Sequence, residues 1–223
     1  MTLWRSEEAI VSSTVVSRPG HVDRIEPDEE SAFGDKLVGW VLTIGGLLGG
    51  LAAFVLTVEK IALLRDPGYT PSCSINPILS CGSVMSTPQA AVFGFPNPLL
   101  GVALFPLVVA TGVAVLGGVR LTRWWWLGLQ AGTVLGVVFV HWLFVQSVYR
   151  IGALCPYCMV VWVVTIVAFS YTTLRNIDRG YLPFPVAWRT AVTRLHTAIP
   201  VAWLLILTVL VGEAFWTYWR TLV

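Results

Sequence analysis

The sequence predicts an all-α integral membrane protein: a four-helix transmembrane bundle plus a fifth transmembrane helix. Three observations lead there. Of 223 residues, 56% are hydrophobic and only 12% charged, with a mean hydropathy of +0.77, a balance too apolar for a domain surrounded by water. Five stretches are long enough and nearly free enough of charge to cross a hydrocarbon core of about 30 Å. They neither alternate in polarity nor shorten to the roughly ten residues of a barrel strand.

Residues 1–35 form a separate zone carrying Glu7, Glu8, Asp23, Glu26, Asp28, Glu29 and Glu30 with few large apolar groups. This reads as a disordered cytoplasmic tail. It lacks the basic-then-apolar order of a cleaved signal peptide, so the first span is expected to stay as an anchor. That span, Leu37 to Val58, is uncharged and as a helix measures about 33 Å. The next region, Arg65 to Pro96, holds Pro67, Gly68, Pro71, Pro77, Gly82, Pro88, Gly94 and Pro96. So many breakers exclude a span and leave room for one short helix near Ser83 to Val92, lying across the bundle mouth.

Asn97 to Val119 and Trp124 to Tyr149 are the second and third spans, separated only by Arg120-Leu121-Thr122-Arg123, a loop that permits nothing but an antiparallel hairpin. Trp124, Trp125 and Trp126 read as an aromatic belt at the headgroup level. Ala153 to Leu174 is the fourth span, completing a four-helix domain over residues 36–174. A cytoplasmic loop, 175–198, carries Pro183 and Pro185 with Tyr181, Phe184 and Trp188, and is placed at the membrane interface. Ile199 to Trp219, interrupted by Glu213, is the fifth span within a final unit of residues 199–223. Glycines at 45, 46, 49, 50, 117, 118, 128, 132 and 136 fall in these spans, where small residues let neighbouring helix backbones approach.

Charge sets the orientation. With the N-terminus in the cytoplasm, ten of the 14 basic residues lie in inner segments, against Lys60, Arg65, Arg150 and Arg220 outside, as the positive-inside rule prefers. No dense basic tract argues for nucleic acid. The four cysteines, Cys73, Cys81, Cys155 and Cys158, then all emerge on the oxidising outer face, where disulfides persist.

Cys155-Pro156-Tyr157-Cys158 opens the fourth span. Pro156 suits a first helical turn, which places both sulfurs on one helix face. The unpaired amides and positive dipole end there favour a thiolate, so the pair is expected to exchange disulfides near neutral pH. Cys73 and Cys81 sit in the breaker-rich loop, which can bring one cysteine to the membrane pair while presenting the other outward. The plainer readings are a structural disulfide, or half of a metal site. Zinc pairs usually have two to four intervening residues, and seven separate Cys73 from Cys81, so no metal is expected. His141, inside the third span, reads as a hydrogen-bonded core histidine rather than a proton relay. Glu213 and Lys60 are placed near an interface or snorkelling, without catalytic assignment.

With these residues in view, the chain resembles the vitamin K epoxide reductase family, as a bacterial homologue supporting disulfide bond formation. The resemblance covers roughly residues 36–174. It rests on Cys73 and Cys81 in the first outer loop, Ser86-Thr87 shortly after, Phe95-Pro96-Asn97 entering the next span, and Cys155-Pro156-Tyr157-Cys158 opening the fourth. A different bacterial thiol oxidase that couples to quinones places its CxxC before its separated pair, the reverse of this order.

The resemblance implies a four-helix bundle around a quinone pocket near the outer surface. All four cysteines would be catalytic: Cys73 exchanging with a protein partner, Cys81 forming a transient disulfide with Cys155, and Cys158 facing the quinone, menaquinone or ubiquinone. Ser86 or Thr87, with spacing favouring Thr87, would hydrogen-bond within the pocket, Asn97 would donate to a quinone carbonyl, and Trp162 would stand beside the ring. The implied partner is a separate periplasmic or envelope thioredoxin-fold disulfide oxidase, because the sequence ends at Val223 without room for an attached one. The implied location is the bacterial inner or plasma membrane, and the implied task is oxidative protein folding rather than epoxide reduction. The competing expectation is a structural or transport membrane protein with a disulfide-stapled outer loop.

Overall fold

The computed structural model describes residues 29–183 and 185–220. The acidic tail expected before residue 29 lies outside the described residues, as does Phe184. Helix α1 (Glu29–Arg65) has 37 residues, about 55 Å at 1.5 Å per residue. It outruns the expected first span at both ends. The N-terminal extension is held by Asp35, whose carboxylate pairs with Arg175 at 3.1 Å and Arg179 at 2.6 Å, so residues 29–35 are helix rather than tail. The C-terminal extension carries Glu59 and Lys60 past the apolar stretch.

The single short helix expected near Ser83 to Val92 is two pieces. Helix α2 (Cys81–Met85) is followed by a 3₁₀ turn over Pro88–Ala91. Pro88 forces the break: the residue before it, Thr87, is extended (φ −82°, ψ 153°), as the proline ring requires. Helices α3 (Pro98–Leu116) and α4 (Arg123–Val145) are joined by residues 117–122 but pack mainly on α1 and α5 respectively rather than on each other, and α4 runs on into a π-turn, Gln146–Ile151. Helix α5 (Pro156–Asp178) extends four residues into what the sequence suggests is loop. Helices α6 (Val186–Arg194), α7 (Ala198–Ala214) and α8 (Trp216–Trp219) complete the described chain.

Four helical stretches, Gly34–Arg65, Pro98–Leu116, Arg123–Ile151 and Pro156–Asp178, are long and apolar enough to cross a membrane. Leu47, Leu51, Phe54, Leu135 and Val138 on their outer surfaces are exposed. In lipid that is the expected solvent-facing surface, with every backbone group satisfied inside the helix. Helix α7 has 17 residues, about 26 Å and at the short limit for a span; the chain bends at Phe215 before α8.

Helix α1 packs along α3 and α5, while α4 and α7 pack on α5. The α1–α3 seam is where small residues matter. A methyl group built on Gly112 would lie 2.6 Å from the Thr43 backbone nitrogen and 2.7 Å from the Gly39 carbonyl oxygen. One on Gly46 would lie 2.7 Å from Val109. By contrast Gly128 and Gly132 have nothing within 4 Å of such a carbon among the described residues.

The three tryptophans expected to form one belt separate. Successive helical residues point about 100° apart, and only Trp124, 83% exposed, faces outward freely. Trp125 donates its indole N–H to Thr111 Oγ1 at 3.0 Å. Trp126 is 0% exposed, with the Arg175 guanidinium 3.6 Å above its ring. Beside it, the Asn176 amide donates to Gln130 Oε1 at 3.0 Å and to the Trp126 carbonyl at 3.3 Å, and Gln130 donates to Thr173. This buried knot joins α1, α4 and α5 at the end opposite the cysteines. Replacing Asn176 with Leu is expected to lower stability by about 1–3 kcal/mol, because it strips the donor from a buried Gln130 oxygen. Thermal unfolding in detergent measures it.

His141 is a hydrogen-bonded core histidine, as its sequence context suggests. The Trp203 indole N–H donates to its Nε2 at 2.9 Å, so Nδ1 carries the proton towards the Val137 carbonyl at 2.8 Å. That polar contact ties α7 to α4 within the bundle.

Candidate redox site

The site is assembled by a backbone clasp. After the π-turn, Gly152 adopts a left-handed conformation (φ 69°), which a residue with a Cβ enters only at a cost. It releases Ala153–Cys155 as extended chain. The Leu154 N–H donates to the Ile78 carbonyl at 2.7 Å and the Leu154 carbonyl accepts from the Ser80 N–H at 2.9 Å, forming a parallel bridge between Leu79 and Leu154. Two residues beyond Leu79 and one beyond Leu154 stand Cys81 and Cys155, so this register places their sulfurs side by side.

Cys73 and Cys81 are joined in a disulfide, with Cα atoms 5.6 Å apart. The free Cys155 sulfur lies 3.0 Å from that of Cys81. Cys73, Cys81 and Cys155 all lie within 4.8 Å of one another and are buried. Because two of the three are bonded together, they offer no set of thiolates for a metal. Cys155 is the N-cap of α5 and Pro156 its first residue, as the spacing predicts, and the first-turn amides favour an anion there. Cys158, in that first turn, is free and partly exposed. It packs against two apolar clusters, one containing Leu56, Cys73, Cys81, Met85 and Cys155, the other containing Trp162, Phe144 and Leu154.

The Vitamin K epoxide reductase family model matches residues 40–173, more than half of the sequence. The chain belongs to the vitamin K epoxide reductase family. A search of curated proteins returns no match. Membership makes the chain a membrane thiol oxidoreductase of the vitamin K epoxide reductase type, and all four cysteines of the family pattern converge at one end of its bundle.

The other residues that the vitamin K epoxide reductase resemblance singled out are spread more widely. Thr87 is half-buried and its hydroxyl donates to the Val84 carbonyl at 2.8 Å. Ser86 is exposed and donates to the Ser83 carbonyl at 3.1 Å, so of the two hydroxyls Thr87 is the enclosed one. Asn97 is buried, and its side chain holds the preceding loop: Nδ2 donates to the Gln89 carbonyl at 2.7 Å and Oδ1 accepts from Val92 N–H at 3.1 Å. One amide proton remains for a ligand. Trp162 is buried with its ring edge-on to Phe144, centroids 5.2 Å apart. It forms the wall behind Cys158 rather than an open stacking face.

Sequence reasoning passed over the residues that fix the Cys73 arm. Glu59, buried near the C-terminal end of α1, accepts from the Tyr69 hydroxyl at 2.8 Å, the Ser72 hydroxyl at 2.5 Å and the Ser72 amide at 3.4 Å. The bond to this carboxylate raises the Tyr69 phenol above its ordinary pKa, since losing the proton would set two anions together. Lys60, given no role from sequence, donates to the Met85 carbonyl at 2.5 Å. The available signal was an adjacent acid and base at the edge of hydrocarbon, where charges are costly enough to imply partners.

Proposed function

We propose that this protein is a protein-dithiol:quinone oxidoreductase that reoxidises a separate thioredoxin-fold protein through its two cysteine pairs. The observation that carries the reading is the Cys155 thiol 3.0 Å from Cys81 of the Cys73–Cys81 disulfide. A loop staple needs no second thiol against it. Thiol–disulfide exchange does, because the attacking sulfur must reach the bonded one.

The cycle balances without further reagents. A partner thiolate attacks Cys73, forming a mixed disulfide and releasing Cys81 as a thiolate. Cys81 attacks Cys155 of an oxidised Cys155–Cys158 pair, forming the cross-loop disulfide and freeing Cys158. The partner's second thiol displaces Cys73 and leaves as a protein disulfide. Cys73 then attacks Cys81, restoring the Cys73–Cys81 bond and returning Cys155 as a thiol. The Cys155–Cys158 dithiol closes to a disulfide as it loses two electrons and two protons. A membrane quinone, menaquinone or ubiquinone, supplies the acceptor for those electrons and protons and leaves as the quinol.

The surroundings of Cys158 fit a planar, largely apolar acceptor: apolar clusters on two sides, an aromatic wall in Trp162 and Phe144, and a residue that is not fully enclosed. In this reading Asn97 keeps one N–H for a carbonyl oxygen, and Thr87 must turn its hydroxyl from Val84 to donate one. The cysteines share one end of the bundle, while Asp35 with Arg175 and Arg179, and Arg123 with the Tyr181 carbonyl, share the other. Under the positive-inside rule this favours an outward redox face in a bacterial cell membrane and supports a role in oxidative folding. The test adds a reduced thioredoxin-fold protein to the purified enzyme with quinone. Stoichiometric loss of quinone absorbance is expected, and no partner-dependent loss overturns the reading.

A further inference from the structure

Cys73, the sulfur that a protein partner would attack, is only 5% exposed. Leu56, Met85, Cys81 and Cys155 pack around it, and the chain on either side of the disulfide is held by a pair of neighbouring charges on α1. Glu59 takes hydrogen bonds from the hydroxyl and amide of Ser72, the residue directly before Cys73, and from Tyr69. Lys60 donates to the carbonyl of Met85, the last residue of the short helix that Cys81 begins. Leu56, one turn earlier on α1, packs directly among the sulfurs. One dipeptide on a rigid helix thus grips both arms of the disulfide loop, the acid through donors and the base through an acceptor.

We propose that Glu59 and Lys60 are positioning residues for disulfide exchange: Glu59 holds Cys73 shielded, and Lys60 holds Cys81 against Cys155. The residue types match the tasks. A carboxylate accepts several hydrogen bonds at once, so it can gather a hydroxyl, a phenol and an amide. An ammonium group donates to a helix-terminal carbonyl that lacks an intrahelical partner. Releasing the Glu59 grip frees the Ser72–Cys73 arm while the Cys81 arm stays clasped to Leu154, so Cys73 becomes the accessible sulfur. The exchange read in partly reduced protein is the reverse of the last step of the proposed cycle: Cys155 attacks Cys81, forming Cys81–Cys155, breaking Cys73–Cys81 and returning Cys73 as a thiolate that takes up a proton, with no net oxidation.

The test needs neither quinone nor protein partner, so it fails or succeeds independently of the proposed overall reaction. Full-length protein in detergent is reduced with dithiothreitol, quenched by alkylation at intervals, and mapped for each cysteine by mass spectrometry. Glu59→Leu and Ser72→Ala are expected to speed opening of the Cys73–Cys81 bond by about tenfold, since each removes a charge-assisted hydrogen bond from the arm. Tyr69→Phe, a milder change at a half-exposed ring, is expected to give about threefold. Lys60→Met is expected instead to lower the share of Cys81–Cys155 disulfide in partly reduced protein, with little change in the opening rate. A general loss of packing would speed labelling of all cysteines together and would not separate the two arms. Opening rates within twofold of the parent in Ser72→Ala and Tyr69→Phe, or an unchanged Cys81–Cys155 share in Lys60→Met, overturn the proposal. If Glu59→Leu does not fold, those variants carry the test.

Discussion

Replacing Cys158 with Ser is expected to lower quinone-dependent dithiol oxidation by about three orders of magnitude or more, because the reaction loses the sulfur that must close the second disulfide. The protein should remain folded. Cys158 is a free, partly exposed thiol, and serine fits its volume. The same variant should accumulate a Cys81–Cys155 disulfide by exchange, Cys155 attacking Cys81 and Cys73 leaving as a thiol, since the Cys81 and Cys155 sulfurs already lie 3.0 Å apart and Cys158 no longer competes for Cys155. Non-reducing peptide mapping reads this directly. Cys155→Ser should be equally inactive yet keep Cys73–Cys81 intact. An active Cys158→Ser variant would exclude the two-pair relay.

Gly112→Ala is expected to be the most damaging single methyl group in the bundle. The added carbon would meet Thr43 and Gly39, including backbone atoms that cannot rotate aside. Helices α1 and α3 must then move apart along the seam, at a cost of about 1–3 kcal/mol for overpacking of this kind. Gly112→Val should exceed that and reduce the yield of monodisperse protein. The control is Gly128→Ala, which meets nothing within 4 Å and should leave the unfolding midpoint unchanged or slightly raised, as alanine is the better helix former. Thermal unfolding in detergent compares them. Equal effects at the two sites would mean that the close approach of α1 to α3 contributes little to stability.

These sites also mark how far the sequence could be read. Membrane spans were legible because the bilayer demands long uncharged runs, a one-dimensional property. The helix start at Pro156 was legible because proline suits a first turn, and the span expected from Asn97 begins as helix at Pro98. The length of α1 was not. Its extensions beyond the apolar run depend on Asp35 reaching Arg175 and Arg179, about 140 residues away in sequence, and on Glu59 reaching Ser72. The tryptophan triplet was misread as one surface because composition carries no facing: Trp126 faces inward only because α5 supplies Arg175 and Asn176 there. Likewise glycines 128 and 132 resemble Gly112 in the sequence, and only the neighbouring helix distinguishes them.

By itself the sequence determined a helical membrane protein with a CxxC at the start of a span and a second cysteine pair in a loop rich in breakers. Those are matters of residue type and spacing, and the family pattern follows from them. The tertiary structure decided which sulfurs are bonded, which thiol touches the bond, and which charges grip the loop. Each of those depends on a register between distant segments, the Leu79–Leu154 bridge and the Glu59 and Lys60 contacts. Hydrogen bonds of a few ångströms between such segments leave no periodic trace along the chain.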